Sequence, residues 1–378
     1  MKINFTEPLI TGYEKKYVYD SINQKKLSGD GKYALKCSDW FAENLGFNFN
    51  FLTPSCTASL EMAAILINAE PGDEIIMPSY TFVSTANAFV MHGCKIKFID
   101  VNPLTMNIDE NLILDAITKK TKAIVVVHYG GVACDMEKVM DIANSHNIYV
   151  IEDAAQALFC KYKDNNLGTI GHMATFSFHD TKNFNSGGEG GLLVVNDQNL
   201  FDRSEIIREK GTNRSNFLRG EIDKYTWVDK GSSFLMSEIQ AAFLYAQIKN
   251  YKEFLEKRLS LWKCYQKFFR SSFFTPHVKI QSIPEYSEHN AHLFFIKLKD
   301  EYTKTSLIKY LKKNEIQASS HYVPLHNSPY GAKVGKFIGN DVYTSKNSEC
   351  LLRMPLHNNL NIEDINMVCK MTESYFKS

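Results

Sequence analysis

The chain has 378 residues, of which 44% are hydrophobic and 22% charged, and its formal net charge is +1. This near-neutral balance gives no general attraction to nucleic acid or to a membrane surface, and no apolar run reaches the ~20 residues that span a bilayer. We therefore expect the protein to bind neither nucleic acid nor a membrane. A chain of this length exceeds what one hydrophobic core usually serves, which predicts a large domain over residues 1–245 and a smaller one over 246–378.

The eight cysteines are scattered and form no C-x-x-C pair. The first residues, Met1 to Phe5, lack the apolar core of a signal peptide. Both features favour reduced thiols in a cytoplasmic protein.

Between about residues 50 and 195, short apolar runs alternate with helical patterns. Near-continuous apolar strands indicate a sheet covered on both faces, and hence a mostly parallel one in an α/β fold. Ligands bind beyond the carboxyl ends of such strands, where His128, Asp153 and Lys182 are expected. The predicted strands cover residues 74–77, 97–101, 123–127, 149–152, 174–178 and 191–195.

The pattern changes near residue 237. Ser237 and Gln240 form a capping-box signature, which predicts a helix-rich stretch as far as about Phe269. A strand over 293–298 and a helix over 304–314 follow. We interpret this part as a smaller α+β domain, joined to the first by a helix.

Lys182 follows an apolar strand and precedes a glycine-rich turn, and Asp153 ends another strand. A lysine and an aspartate at neighbouring strand ends suggest a pyridoxal phosphate site, where the lysine forms an imine and the aspartate keeps the pyridine nitrogen protonated. Each residue also has an ordinary interpretation, as a surface lysine and as a helix N-cap.

Three further segments bear on such a site. Residues 53–60 open a helix with hydroxyls and free amides, which can bind a phosphate, and Ser177 could add another hydroxyl. An aromatic residue within 78–85 could stack on a pyridine ring. The glycines at 187–191 match no nucleotide-binding pattern, so a sharp turn beside a cofactor is the better explanation.

His321 and His326 are five residues apart, and Pro324 between them opposes a helix. This spacing does not favour a metal site, and we predict none. A loop that presents polar groups to a substrate remains as plausible as a purely structural loop.

Taken together, residues 53–62, 78–87, 152–156, 176–191 and 237–242 resemble the sequential motifs of the DegT/DnrJ/EryC1/StrS sugar-nucleotide aminotransferases. The resemblance covers essentially the whole chain. It implies the aspartate-aminotransferase (type I) fold, a mostly parallel central sheet with a smaller C-terminal α+β domain, and pyridoxal phosphate as the cofactor.

The resemblance also implies roles by position. Lys182 is the Schiff-base lysine and Asp153 the partner of the pyridinium nitrogen. The remaining cofactor contacts are the ring-stacking Phe82, Gln156 near the phenolic oxygen, and Cys56, Thr57 and Ser177 at the phosphate.

Members of the family are homodimers whose active sites take residues from both subunits. Many carry a Gly-x-Asn-Tyr-Arg-Met motif whose asparagine reaches the neighbour's cofactor phosphate. Here Ser233 replaces the asparagine and Leu235 the arginine. A serine could make the phosphate contact only at shorter reach.

Residues 54–62, 207–215 and 223–227 are most similar to members that use L-glutamate to aminate C4 of dTDP-4-dehydro-6-deoxy-glucose. A dTDP-linked keto sugar is then the acceptor. The predicted substrate contacts are Arg214, Arg219, Lys224 and Tyr225 on the nucleotide side, and His321, Tyr322 and His326 near the sugar.

Four alternatives remain. Some relatives are sugar dehydratases with histidine in place of the lysine, and others aminate C3 on a dTDP-3-dehydro-6-deoxyhexose. A non-catalytic binding protein of the same fold would have lost Lys182 or Asp153. A nicotinamide dehydrogenase is disfavoured, because no dinucleotide glycine fingerprint follows a strand.

Overall fold

The computed structural model describes residues 2–378. The helices are α1 (Glu14–Asn23), α2 (Lys32–Leu45), α3 (Cys56–Leu66), α4 (Val83–Val90), α5 (Ile113–Ala116), α6 (Met136–His146), α7 (Phe201–Arg208), α8 (Arg214–Leu218), α9 (Glu238–Lys249), α10 (Tyr251–Phe269), α11 (Glu301–Lys313), α12 (Gly331–Val334), α13 (Thr344–Cys350) and α14 (Ile362–Lys377). The strands are β1 (Asn50–Thr53), β2 (Glu74–Pro78), β3 (Lys95–Ile99), β4 (Thr121–Val127), β5 (Tyr149–Asp153), β6 (Lys161–Tyr162), β7 (Asn165–Asn166), β8 (Met173–Ser177), β9 (Gly191–Val195), β10 (Lys279–Ile280), β11 (Ser287–Glu288), β12 (Phe294–Lys297), β13 (Gly335–Phe337) and β14 (Leu351–Met354).

The main sheet has eight strands in the order β1-β9-β8-β5-β4-β2-β3-β13. All neighbouring pairs are parallel except those of β9, which runs antiparallel to β1 and to β8. The six predicted strands are confirmed as β2, β3, β4, β5, β8 and β9, although β3 begins and ends two residues earlier than expected. The sequence pattern did not reveal β1 or the edge strand β13.

Alternate residues of the central strands enter two separate cores. Ile76 and Val126 pack on one face with residues of α2, α6 and α9, whereas Ile75 and Val125 pack on the other with residues of α3 and α4. Burial on both faces explains why these strands are almost wholly apolar. The predicted α/β layering with a mostly parallel sheet is confirmed.

A third core surrounds the antiparallel sheet β10-β12-β14 and helices α10, α11 and α14, and it includes Ile3 from the start of the chain. Ser237 caps α9 in the predicted capping box with Gln240. The helical stretch reaches Phe269 as predicted, but it is interrupted at Asn250. Whether the chain divides into domains at residue 245 stays a prediction. Within residues 2–378, no helix has both the length and the apolar character needed to cross a membrane.

Asp100, just after β3, connects the main sheet to a distant segment. Its buried carboxylate accepts hydrogen bonds from the backbone N–H groups of Val342, Tyr343 and Thr344 at 2.8–2.9 Å, and from the Thr344 hydroxyl at 2.6 Å. The same contacts place the carboxylate at the start of α13, where the helix dipole favours a negative charge.

We expect the substitution Asp100→Ala to lower the free energy of unfolding by about 2–4 kcal/mol, because it leaves several buried donors unpaired. Urea denaturation measures this loss. Asp300→Ala is the control, because Asp300 caps α11 through the Thr303 N–H at 2.7 Å near the surface, and losing an exposed cap costs only ~1 kcal/mol. Equal losses in the two variants would contradict the role given to Asp100.

Candidate active site

A cavity of about 540 Å³ lies at the carboxyl ends of β4, β5 and β8, and its wall is completed by residues of β14 and of the loop at 321–322. The structure brings together nine of the residues singled out in the sequence. They are Cys56, Thr57, Phe82, Asp153, Gln156, Ser177, Lys182, His321 and Tyr322.

Lys182 lies in the loop after β8, in a turn closed by its N–H donating to the His179 carbonyl at 2.9 Å. Its Nζ has no hydrogen-bond or ion-pair partner among residues 2–378. Burial lowers the pKa of Lys182, and the nearby Cys56 and Asp153 oppose this effect only in part. A larger fraction of free amine, the nucleophilic form, therefore exists at neutral pH than for an exposed lysine.

Asp153 is the last residue of β5 and is 6% exposed. Its Oδ2 accepts a hydrogen bond from the Thr85 hydroxyl at 2.7 Å, and its Oδ1 accepts one from the Ala155 N–H at 3.2 Å. Burial raises the pKa of Asp153 despite these two bonds and the charge of Lys182. A cation placed against this carboxylate would offset the cost of its burial.

Beneath Asp153, a fully buried pair fixes the strand ends. His128 Nδ1 accepts the Cys134 N–H at 3.2 Å, so its proton lies on Nε2, which donates to Glu152 at 3.0 Å. Glu152 also accepts N–H groups from Gly168, Ile170 and Gly171. His128 is thus part of the scaffold, and Val127 lines the cavity in its place.

The start of α3 forms one end of the cavity. Ser55 caps the helix by accepting the Ala58 N–H at 3.1 Å, and the Thr57 hydroxyl donates to Ser84 at 2.8 Å. Burial raises the pKa of the Cys56 thiol, which keeps it uncharged. Free amides, neutral side chains and the helix dipole make this end suitable for an anion.

The glycine-rich turn after Lys182 requires glycine at two positions, for different reasons. Gly188 has a φ of +135°, which side chains rarely tolerate. A Cβ on Gly191 would lie 2.4 Å from the carbonyl carbon of Ser55. Glycine at this position therefore lets β9 pass directly against the start of α3.

A hydrogen-bonded aromatic group forms the opposite wall. The Gln156 side chain accepts the Gly130 N–H at 2.6 Å and donates to the Tyr322 hydroxyl at 3.2 Å. The rings of His321 and Tyr322 are stacked with centroids 3.6 Å apart. The Phe82 ring, at the cavity mouth, remains 57% exposed.

The other predicted contacts lie outside this cavity in the single chain. Arg214 pairs with Glu209 at 3.2 Å, and Arg219 pairs with Glu205 and Glu221 at 2.8 Å. Ser233, Lys224 and Tyr225 are exposed. His326 lies 2.6 Å from the Ser79 hydroxyl and 3.0 Å from Asp341. The binding roles of these six residues stay predictions.

Thr85, His292 and Arg353 are among the lining residues that were not singled out from the sequence. Thr85 holds Asp153, and His292 lies 3.0 Å from the Asn183 side-chain oxygen. Arg353 is the third. Its signal was a charged residue inside the apolar strand Leu351–Met354, whose other three residues are buried.

The family model for "DegT/DnrJ/EryC1/StrS aminotransferase family" matches residues 8–373. The chain is 30% identical over 332 residues to GDP-perosamine synthase of Escherichia coli O157:H7, with 87% of each chain covered. It is 32% identical over 327 residues to the UDP-4-amino-4-deoxy-L-arabinose–oxoglutarate aminotransferase of Shewanella sediminis, with 83% of each covered.

Among solved structures, the chain is similar to Helicobacter pylori PseC, an aminotransferase involved in the biosynthesis of pseudaminic acid. The TM-score is 0.90 at 25% identity, and the whole of each chain is covered. The chain therefore belongs to the DegT/DnrJ/EryC1/StrS aminotransferase family, which confirms the type I fold, the transaminase class and pyridoxal phosphate as the cofactor.

Proposed function

We propose that this sugar-nucleotide aminotransferase moves the amino group of L-glutamate to C4 of dTDP-4-dehydro-6-deoxy-D-glucose. The products are dTDP-4-amino-4,6-dideoxy-D-galactose and 2-oxoglutarate. The observation that carries the proposal is the unpaired amine of Lys182 in one cavity with the buried Asp153. Such a pair serves amino transfer rather than sugar dehydration, in which histidine replaces the lysine.

The residues present fit pyridoxal phosphate. The start of α3 offers an anion site, Asp153 a buried carboxylate for a protonated ring nitrogen, and Lys182 an amine for the aldehyde. When bound, the cofactor supplies an electron sink that stabilises negative charge at the carbon losing its proton. The cavity of about 540 Å³ is also within the size range of sites for small ligands.

In this arrangement each residue has a limited task. Lys182 Nζ would take the proton from one reacting carbon and return it to another, because the amine would remain beside them. Cys56, Thr57 and Ser177 would hold the cofactor phosphate. Gln156 would face the phenolic oxygen, and Phe82 would stack on the ring.

C4 amination is supported by one relative and by local sequence. The Shewanella relative is named for a 4-amino-4-deoxy sugar. Residues 54–62, 207–215 and 223–227 resemble the dTDP-4-amino-4,6-dideoxygalactose transaminase of enterobacterial common antigen synthesis. Products of this type serve the synthesis of O-antigen and other cell-surface polysaccharides, including lipopolysaccharide.

The site is proposed to be completed in a homodimer. Phe217, Leu218, Tyr225 and Trp227 are 39–78% exposed around the predicted nucleotide contacts. Large contiguous patches of exposed apolar side chains mark protein–protein interaction sites. A second copy of the chain on this surface would let Arg214, Arg219 and Lys224 reach a dTDP-linked sugar in the neighbouring cavity, and would bring Ser233 towards the cofactor phosphate there.

The test is product analysis by NMR after incubating the cofactor-loaded protein with L-glutamate and dTDP-4-dehydro-6-deoxy-D-glucose. We expect nitrogen at C4 and the galacto configuration. A parallel incubation contains dTDP-3-dehydro-6-deoxyhexose as the acceptor. If only that substrate is aminated, at C3, the C3-aminating alternative replaces the proposal. Because two relatives are named for GDP and UDP sugars, the same sugar on those nucleotides should be compared by kcat/KM.

Thr85 positions Asp153 through the hydrogen bond of its hydroxyl to Oδ2. We expect Thr85→Val to lower kcat about tenfold, since it removes a hydrogen bond that favours the charged carboxylate, and such bonds are worth roughly 1.5–3 kcal/mol. Steady-state kinetics with saturating glutamate measures this effect. Thr81→Val is the control, because Thr81 is equally buried and bonds Thr85 at 2.8 Å but not Asp153. A larger loss in Thr81→Val would show that packing, not the bond to Asp153, is responsible.

A further inference from the structure

His292 lies in the segment that leads into β12, and it lines the cavity beside Lys182. Only 8% of the residue is exposed. Its backbone is held on both sides, because its N–H donates to the Asn290 side chain at 2.9 Å and its carbonyl accepts the Arg258 guanidinium at 2.8 Å. The imidazole is therefore presented to the cavity from a fixed backbone, although the proposed reaction gives it no task.

The hydrogen bonds of Asn183 determine which nitrogen of His292 carries the proton. The Asn183 amide nitrogen donates to the Asn290 carbonyl at 3.0 Å, so the amide oxygen faces His292 Nδ1, also at 3.0 Å. Nδ1 must then carry the proton and donate it, which leaves Nε2 with a lone pair. Burial lowers the pKa of His292 well below its usual range, so the ring is neutral. The side chains that act on this pKa in the same direction are Lys182, Arg258, Arg353 and His321.

A small recess connects His292 with Lys182. It measures about 10 Å³, and both residues line it as well as the main cavity. This volume is enough for one water molecule. Within residues 2–378, neither His292 Nε2 nor the Lys182 amine has a hydrogen-bond partner. The other polar side chains of the wall are Gln156, Ser177, Asn183 and Asn290.

Those other side chains already have hydrogen bonds. The amides of Gln156, Asn183 and Asn290 each donate and accept within the protein. The Ser177 hydroxyl accepts the His179 N–H at 3.4 Å and is assigned to the cofactor phosphate in the proposed function. A buried water needs two to four polar partners. The amine and Nε2 are the groups in the recess that lack partners, and they supply two.

We infer that His292 positions Lys182 through a water molecule in this recess, which accepts a hydrogen bond from the lysine amine and donates one to His292 Nε2. The directions match, because the amine supplies N–H donors and Nε2 supplies a lone pair. Once Lys182 is released from the cofactor, this chain of bonds would hold the amine beside the reacting carbons. It would strengthen when the amine gains a proton, because charged donors form stronger bonds. The catalytic consequence rests on the proposed function.

The first test is a high-resolution crystal structure of the wild-type protein with pyridoxamine phosphate bound, the state in which the lysine is free. We expect one ordered water at about 2.7–3.2 Å from both Lys182 Nζ and His292 Nε2. Absence of that water, or a direct contact between the two nitrogens, would overturn the inference. This measurement needs no variant, so it decides the question even if a substituted protein does not fold.

The second test removes and then restores the acceptor. His292→Phe keeps a ring but has no acceptor, whereas His292→Gln can return one through its side-chain oxygen. In His292→Phe we expect the rate of the glutamate half-reaction, at saturating L-glutamate, to fall about tenfold, close to the loss of one charge-assisted hydrogen bond. The KM for L-glutamate should stay within about twofold, because no substrate contact is removed. His292→Gln should recover most of the rate.

His289→Phe is the matched control. His289 lies in the same segment and is half-buried, but it is not part of the cavity wall, and its Nδ1 accepts the Ala291 N–H at 3.2 Å. This variant should keep both the rate and the pH profile of the wild type.

The dependence on pH separates positioning from packing. Loss of the acceptor disfavours the ammonium form, so the pKa of Lys182 should fall in His292→Phe and the acid limb of the rate profile should move to lower pH. The same change is measured without turnover, by labelling Lys182 with an amine-specific reagent across a pH series in the pyridoxamine phosphate form, followed by mass spectrometry. The other groups that act on this pKa are retained in both variants, and they are Cys56, Asp153 and Arg353.

An unchanged pKa of Lys182 in His292→Phe would contradict the inference. So would a glutamine variant as impaired as the phenylalanine variant, since packing of the imidazole would then explain the loss. If the wild-type protein does not aminate the keto sugar, while the water and the labelling are as expected, the proposed function is wrong and the link between His292 and Lys182 stands.

Discussion

Lys182→Ala is expected to reduce turnover by at least about 10⁴-fold, because it removes both the covalent attachment and the general base. The protein should still fold, since the Lys182 amine has no partner among residues 2–378 and only its backbone N–H closes the local turn. Steady-state assays with L-glutamate and the keto sugar measure the loss, and the visible absorbance of the lysine-bound cofactor should disappear.

Lys163→Ala is the matched control for this experiment. Lys163 lies in the turn between β6 and β7, where it is exposed and pairs with Glu137 at 2.6 Å. Its activity should equal that of the wild type. If Lys182→Ala keeps a tenth of the wild-type turnover while its thermal unfolding is unchanged, the assignment of Lys182 is wrong.

Asp153→Asn is the second substitution with a large expected effect. It preserves the size of the side chain and an oxygen for the Thr85 hydroxyl, but it removes the charge that keeps the ring nitrogen protonated. We expect the rate of the glutamate half-reaction to fall by about 10²–10³-fold, as for other losses of preorganised electrostatic stabilisation. Stopped-flow absorbance measures this rate, and cofactor occupancy is measured in parallel.

Asp180→Asn is the control for the loss of a negative charge near the site. Asp180 is exposed and lies in the same loop as Lys182. It should leave the rate unchanged. A half-reaction in Asp153→Asn within a few-fold of the wild type would mean that the carboxylate does not face the ring nitrogen. The cofactor would then have to lie in another orientation in the cavity.

Local sequence patterns were sufficient to predict most strands of the main sheet. Strands such as β4 and β5 are apolar throughout because both of their faces are buried, and that signal is present in a single short window. By contrast, β13 has three half-buried or exposed residues and pairs with β3 across more than two hundred residues of chain. No local periodicity specifies such a strand.

The same division applies to the site. Lys182, Asp153 and the start of α3 could be predicted because they follow strands of one parallel sheet, whose carboxyl ends must meet at one edge. Thr85 and Arg353 could not be predicted from the sequence, because their contacts depend on how α4 and β14 pack against that edge. Five predicted substrate contacts and the predicted cofactor contact Ser233 lie outside the cavity of the single chain, where a second subunit would have to bring them into use.

The sequence by itself determined the chemistry of this protein: a lysine and an aspartate at neighbouring strand ends, a phosphate-binding helix start and the family motifs that contain them. These features are encoded locally, through strand burial and helix capping. The tertiary structure alone decided that Arg353 reaches the same cavity from β14 with its donors unpaired. The reason is physical: Arg353 and Lys182 are 171 positions apart in the chain, and only the packing of the β14 sheet against the main sheet brings their charges together.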